Sequence, residues 1–219
     1  MLSAAINYPR ESDHVLKTVL IGGVLSLLSV LIVPAFILGG YGIRVLRHTT
    51  LGDDELPQFD DWGKLAVDGL KGFAIAIGYL FAPIVLFGLS LAVFSGTLQM
   101  VGIIVSAIAY LAAAYSLPAA TTVFAREERV GAAFKLDNLR PVLTSRRYVS
   151  GWLRAILVSF AAGLVMGVIG LVPILGAIAG LFVGFYMNLV ISHLFGHAVA
   201  DAERLAVPRE EQPATRPVA

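Results

Sequence analysis

The sequence contains no cysteine. Disulfides, thiolate metal centres and cysteine nucleophiles are therefore excluded, and cysteine usage leaves the redox compartment open. Charge is scarce too: Asp, Glu, Lys and Arg make up 14% of the chain, against about 25% in ordinary soluble domains. Where charge is missing says more than how much there is. No Asp, Glu, Lys or Arg occurs in 18–43, 72–125 or 155–200. A hydrocarbon core of about 30 Å takes roughly 20 apolar residues per helix, so each run is long enough for at least one crossing. Catalytic signatures are also lacking. There is no Gly-x-Ser-x-Gly elbow and no Ser–His–Asp set in a recognisable context, so no enzyme and no cofactor is expected. A net charge of +1 gives no electrostatic footprint for nucleic acid.

What is present is a chain of 219 residues, 58% hydrophobic, which reads as a polytopic membrane protein. The lysines and arginines gather in the N-terminal segment, in a first polar loop (Arg44, Arg47, Lys64, Lys71), in a second (Arg126 to Arg154) and in the tail. The positive-inside rule puts the strongly basic second loop in the cytoplasm. The runs 72–125 and 155–200 each hold two spans, folded at 94–99 and at 171–176. The first run holds either one span or a short hairpin turning near Pro34, and the hairpin is preferred. Both termini are then cytoplasmic, in the cell membrane. The expected fold is all-α: a transmembrane helical bundle of three helical hairpins (six helices, the first pair short), with interfacial amphipathic helices in the cytoplasmic loops. Residues 1–203 form one transmembrane domain. Residues 204–219, with Pro208, Pro213 and Pro217, are expected to be a disordered cytoplasmic tail.

Five carboxylates crowd the first loop: Asp53, Asp54, Glu55, Asp60 and Asp61. Oxygen-rich clusters suit a hard cation or a basic partner, yet the spacing fits no EF-hand. Helix capping by Asp60 or Asp61, with Trp62 anchoring an interfacial helix, explains most of it. Lys64, Asp68 and Lys71 share that helix's polar face. The second loop carries Arg126, Arg129, Lys135, Arg140, Arg146 and Arg147 among apolar residues. That pattern suits anionic lipid headgroups, or a salt-bridged dock onto the acidic first loop. Trp152 is a second candidate interface anchor. On the last hairpin, Gly176, Gly180 and Gly184 continue through Asn188 and Ser192 at intervals of four. Gly163 and Gly167 end a similar stripe from Gly151. Small residues let backbones approach, so the two stripes are expected to pair, with a homodimer seam or a pore-facing groove as the alternative. His193, His197 and Asp201 could share one helix face as metal ligands do, but an ordinary polar face is the stronger reading and no metal is expected.

Taken together, several segments resemble an archaeal membrane family known as domain of unknown function 4013. They are Tyr8-Pro9, Gly40-Tyr41-Gly42-Ile43-Arg44, Leu56-Pro57, Asp60-Asp61-Trp62-Gly63, Asp68-Gly69-Leu70-Lys71, Gly131-Ala132-Ala133-Phe134 and His193-Leu194-Phe195-Gly196. The resemblance extends from Ile6 to Glu203. It implies an archaeal cell membrane and brings no activity, ligand or catalytic residue.

Function is then read from two alternatives. The preferred one is a non-enzymatic scaffold or accessory protein acting through its cytoplasmic loops on membrane lipids, a membrane-protein partner or a second copy of itself. The other is a small-solute or lipid transporter with a path between the hairpins. No ionisable side chain lies in the deep spans, so a proton- or sodium-coupled mechanism is not expected. Interruptions at Gly39-Gly40 and Pro83 could build a path. A polar cavity lined by Asn188 and the tyrosines would favour transport.

Overall fold

A computed structural model describes residues 8–11, 14–53 and 55–206. Among these residues every regular element is helical. Seven α-helices follow one another: α1 (Val15–Leu27), α2 (Ile32–Leu51), α3 (Trp62–Val93), α4 (Gly96–Glu127), α5 (Leu136–Leu143), α6 (Arg146–Ile169) and α7 (Pro173–Ala206). Four of them, α3, α4, α6 and α7, are long and apolar enough to cross a membrane. In hydrocarbon, backbone donors and acceptors must be satisfied within the segment, and an uninterrupted helix does this. Only 11% of the most apolar stretch of α4 and of α6 is buried inside the protein. The apolar surface left over is what a lipid environment would cover.

The boundaries follow local chemistry. Leu28–Val30 forms a single 3₁₀ turn after α1, ahead of the expected turn near Pro34. Pro34 falls in the first turn of α2, where a missing N–H costs nothing, so it starts a helix and does not break one. Helix α2 ends at Gly52, whose φ of 84° is the left-handed cap that glycine adopts without strain. Asp61 caps α3, its Oδ1 accepting the Lys64 N–H at 3.2 Å. Ser145 does the same for Arg147 at 3.3 Å. The connection from α3 to α4 is only Phe94–Ser95, and that from α6 to α7 is Gly170–Val172. Thr97–Gln99 and Pro173–Gly176, expected in the turns, belong to helices.

Two further expectations are corrected. Helices α2 and α3 run unbroken through Gly39–Gly40 and Pro83: a glycine weakens a helix by only about 1 kcal/mol, and a proline inside a long apolar helix is tolerated where neighbouring groups and local adjustment satisfy the freed carbonyl. Helix α3 begins at Trp62 and continues to Val93 as one element, so the first loop carries no separate interfacial helix. Of the tail, residues 204–206 continue α7. The remainder, 207–219, lies outside the described residues.

Helix α2 is the centre of the assembly. It packs along α3 on one side and along α7 on the other, while α1 leans on α7 more than on α2. Consecutive long helices pair as α3 with α4 and α6 with α7. The closest approach is between α2 and α3. A Cβ added at Gly40 would overlap the Leu65 carbonyl, and one at Gly69 would overlap the Phe36 carbonyl. A side chain at either glycine would force the two backbones apart, and Gly176 makes a similar approach to the Ile169 carbonyl. The pairs α3–α4 and α6–α7 join around buried Phe124, Val142, Tyr148 and Val199. This is the end carrying the charged loops, here termed the polar end. The end with the short turns has no comparable cluster among the described residues.

The glycine stripes of α6 and α7 pair only in part. Gly176 and Gly180 face Ile169 and Met166, and Gly151 faces Ala198. Gly163, Gly167 and Gly184 have open space where a side chain would be. The reason is geometric: each step of four advances about 400°, so a stripe drifts by about 40° per step and leaves the seam within three steps.

Candidate functional site

At the polar end the first loop is tied down from below. Tyr41, fully buried, donates its hydroxyl to the Pro57 carbonyl at 2.7 Å and stacks on Phe59 at 3.9 Å. Tyr8 reaches the Glu55 carbonyl at 3.2 Å. Arg44 donates to the Gln58 carbonyl and pairs with Asp60. Asp53 accepts the Glu55 N–H at 3.1 Å and contacts His48 Nδ1 at 2.8 Å. The backbone bond from Glu55, then His48, holds its carboxyl below the usual range. The carboxylates are thus spent separately: Asp53 on His48, Asp60 on Arg44, Asp61 on a helix cap. Glu55 is exposed, and Asp54 lies outside the described residues. Trp62 stays 45% exposed, beside Phe59.

The two loops do dock, with the polarity opposite to expectation. Their link is Glu128, a carboxylate of the second loop, accepting from Lys64 at 3.2 Å and pairing with Arg47 at 3.1 Å. Lys64 and then Arg47 hold the Glu128 carboxyl below its ordinary value of 4.5. Arg47 also donates to the Ala125 carbonyl at 2.6 Å and pairs with Asp68 at 3.4 Å. Its side chain is 15% exposed and that of Asp68 is 8%. Asp68 shares a helix face with Lys64 and Lys71, at i, i+4 and i+7, and is itself buried there, against Arg47, whose other partner Glu128 is met by Lys64. This clasp across α2, α3 and α4 was missed in the sequence. Arg47 and Asp68 could have been found by one signal: each sits beside an apolar run that it would be expected to avoid.

The basic residues of the second loop are exposed at Arg126, Arg129, Lys135, Arg140, Arg146 and Arg147. Arg126 pairs with its neighbour Glu127 at 3.6 Å and Arg147 with Asp201 at 3.2 Å. Beneath them the loop is fixed by tyrosines. Tyr79 donates to Ala133 O at 2.7 Å and Tyr115 to Leu143 O at 2.6 Å. Tyr148 donates to Tyr115 O at 2.6 Å. Trp152, expected at a lipid interface, is half-buried and directs its indole N–H to Ala114 O at 3.4 Å. His193 is buried, 3.2 Å from Thr49 and stacked on Tyr8 at 3.8 Å. Among the described residues no three His, Cys, Asp or Glu side chains form a metal-ligand group.

Deeper in the bundle, two open clefts of about 510 Å³ and about 480 Å³ adjoin on either side of α2, sharing Gly39, Ile43 and Thr121. The larger is lined by polar side chains from three helices: Ser26 of α1, Thr121 of α4, and Asn188 and Ser192 of α7. Ser26 and Thr121 donate to the Gly22 and Leu117 carbonyls, which leaves their oxygens free to accept. The Asn188 carboxamide is exposed in the cleft, over Gly42, and makes no hydrogen bond to another described residue. From Pro173 to Asn188 the helix climbs about 22 Å at about 1.5 Å per residue, which is still within hydrocarbon depth. The tyrosines expected here lie elsewhere, and no ionisable side chain among the described residues lines either cleft. The arrangement can hold an uncharged group that donates and accepts hydrogen bonds, with an apolar remainder.

The model of one protein family, described as Protein of unknown function (DUF4013), matches residues 27–175. The match is shorter at both ends than the resemblance read from the sequence. No curated protein and no solved structure matches the chain.

Proposed function

We propose that this chain, which belongs to the DUF4013 family, is a multi-pass membrane protein that holds a neutral amphiphile in the cleft around α2 and passes it between the helix pairs. What supports this reading above all is the Asn188 carboxamide, at hydrocarbon depth and without a hydrogen-bond partner among the described residues. An unmet polar group in an apolar medium costs several kcal/mol, of order 2–7, and a ligand head group would remove that cost. With no ionisable side chain among the described residues of the lining, the ligand proposed is uncharged where it meets the cleft. Three hairpins, with both termini and both loops on the cytoplasmic side of the cell membrane, complete the picture.

The test uses the cysteine-free background. A single Asn188→Cys variant should react with a small thiol reagent and be protected by lipids extracted from the native membrane. Mass spectrometry of the purified wild type should find a neutral amphiphile that Asn188→Leu loses. Equal retention by both proteins would sink the proposal. The scaffold reading draws on a different observation, the exposed cations Arg129, Lys135 and Arg140 above the clasp. It is favoured if loop variants abolish co-purification of a partner while Asn188 variants leave it intact.

A further inference from the structure

Pro118 stands inside α4 and has no N–H to donate. The carbonyl of Ala114, four residues back, therefore loses its helical partner, and the pyrrolidine ring crowds it. In apolar surroundings that carbonyl needs another donor. Trp152 of α6 supplies one, its indole N–H reaching Ala114 O at 3.4 Å. One turn earlier on α6, fully buried Tyr148 donates its hydroxyl to the next carbonyl, Tyr115 O, at 2.6 Å. The Tyr148 oxygen also interacts with the Ala119 N–H, so the phenol sits against the rung formed by Tyr115 and Ala119. The Tyr115 ring meets both donors edge to face, 5.2 Å from Tyr148 and 5.4 Å from Trp152.

We propose that Tyr148 and Trp152 are positioning residues: from α6 they fix the course of α4 past Pro118 and so place Thr121, which lines both clefts around α2. A proline in a helix interior is a site where the axis can bend. Donors mounted on a second helix select one such course and hold it. Tyr148 and Trp152 are four apart and share one face of α6, so they act as a unit. Thr121 follows Pro118 by less than one turn, and a change of course moves it first. The same aromatic group reaches the second loop, where Tyr115 donates to Leu143 O at 2.6 Å. A displacement of that loop is thereby passed to the junction of the two clefts through hydrogen-bonded side chains. Its effect on a ligand moving between the clefts rests on the function proposed above. The clamp on α4 does not, and its test uses no ligand.

The test reads position 121 in the cysteine-free chain. In Thr121→Cys protein, the double variant Tyr148→Phe/Trp152→Phe keeps both rings aromatic and removes both donors. Labelling at position 121 by a small thiol reagent should accelerate about three-fold or more as the turn loosens. Adding Pro118→Ala restores an N–H for Ala114 O within the helix, and the rate should return to within about two-fold of its starting value. Packing alone predicts no such rescue, because Pro118→Ala leaves both phenylalanines in place. If the double variant fails to fold, Trp152→Phe is measured with and without Pro118→Ala. Its melting temperature should then fall with the proline present and fall much less with alanine. Unchanged labelling would overturn the proposal. So would loosening that Pro118→Ala does not reverse, or an equal fall in melting temperature in both backgrounds. Amphiphile retention by Asn188 is measured separately, so either proposal can fail without the other.

Discussion

At the scale of single residues, the most sensitive positions are the glycines where backbone meets backbone. Gly40→Ala and Gly69→Ala each drive a methyl into a main-chain carbonyl that has no way to move aside. Overpacking costs about 1–3 kcal/mol where side chains can yield, and these should exceed that range, seen as a loss of folded protein in detergent melts. Gly163→Ala has open space and gains helix propensity of about 1 kcal/mol, so its melting temperature should hold or rise. The sequence made the later glycines conspicuous by their regular spacing, yet Gly40 and Gly69 carry the tighter contact. Nothing in a one-dimensional spacing marks two isolated glycines on different helices as partners. Asp68 is a similar case. In a soluble helix a carboxylate marks the wet side, but here both the interior and the surroundings are apolar, so a charge can point either way.

Breaking the Arg47–Asp68 pair should be costly for the same reason. With side chains 15% and 8% exposed, Arg47→Ala leaves the Asp68 carboxylate desolvated and without this partner, at about 3–5 kcal/mol, whereas Asp68→Asn should cost less because Arg47 keeps Glu128 at 3.1 Å. A double-mutant cycle that returned no coupling would refute this. Glu128 adds a pH dependence. Its folded value lies below its ordinary 4.5, so its contribution is complete above pH 4.5 and is lost as pH falls through the lowered value. Wild type should therefore lose more stability below pH 4.5 than Glu128→Gln does. Glu128 is half exposed, so solvent screening keeps the difference small.

At the scale of elements, the four long helices were legible because ionised groups avoid hydrocarbon, and the gaps in charge mark their extent directly. The turns were displaced by a few residues, since proline tolerates a helix's first turn as readily as a break. The docking of the second loop was not legible. It depends on tyrosine hydroxyls of α3, α4 and α6 that read in the sequence as generic membrane aromatics. Tyr115→Phe removes the bond to Leu143 O, worth about 1 kcal/mol. Hydrogen exchange in 136–145 should accelerate several-fold, while exchange in α7 stays as it was. Uniform acceleration would show that the loop is not held at this point.

At the scale of the molecule, α4 is long and apolar enough to cross a membrane, so its two ends are expected on opposite faces. Single cysteines placed at Arg129 and at Ser95, in the cysteine-free chain, should be labelled from opposite faces of a sealed vesicle. Labelling of both from one face would refute the crossing by α4, and labelling of Arg129 from outside intact cells would reverse the orientation argued from Lys and Arg.

Helix α1 has thirteen residues, a rise of about 20 Å at about 1.5 Å each, and it leans against a neighbour long enough for the full bilayer thickness of about 30 Å. If α1 stands in the membrane as half of a short hairpin, the leaflet above its 3₁₀ turn is expected to dip to meet it, beside the Ser26 side of the groove. Acyl chains at such a dip would be shortened in reach, which would make this rim the easiest place for a molecule to leave the lipid. Reconstitution into longer-chain phospholipids should then weaken the protein by raising the strain of that dip. A melting temperature indifferent to chain length would show that no such thinning exists.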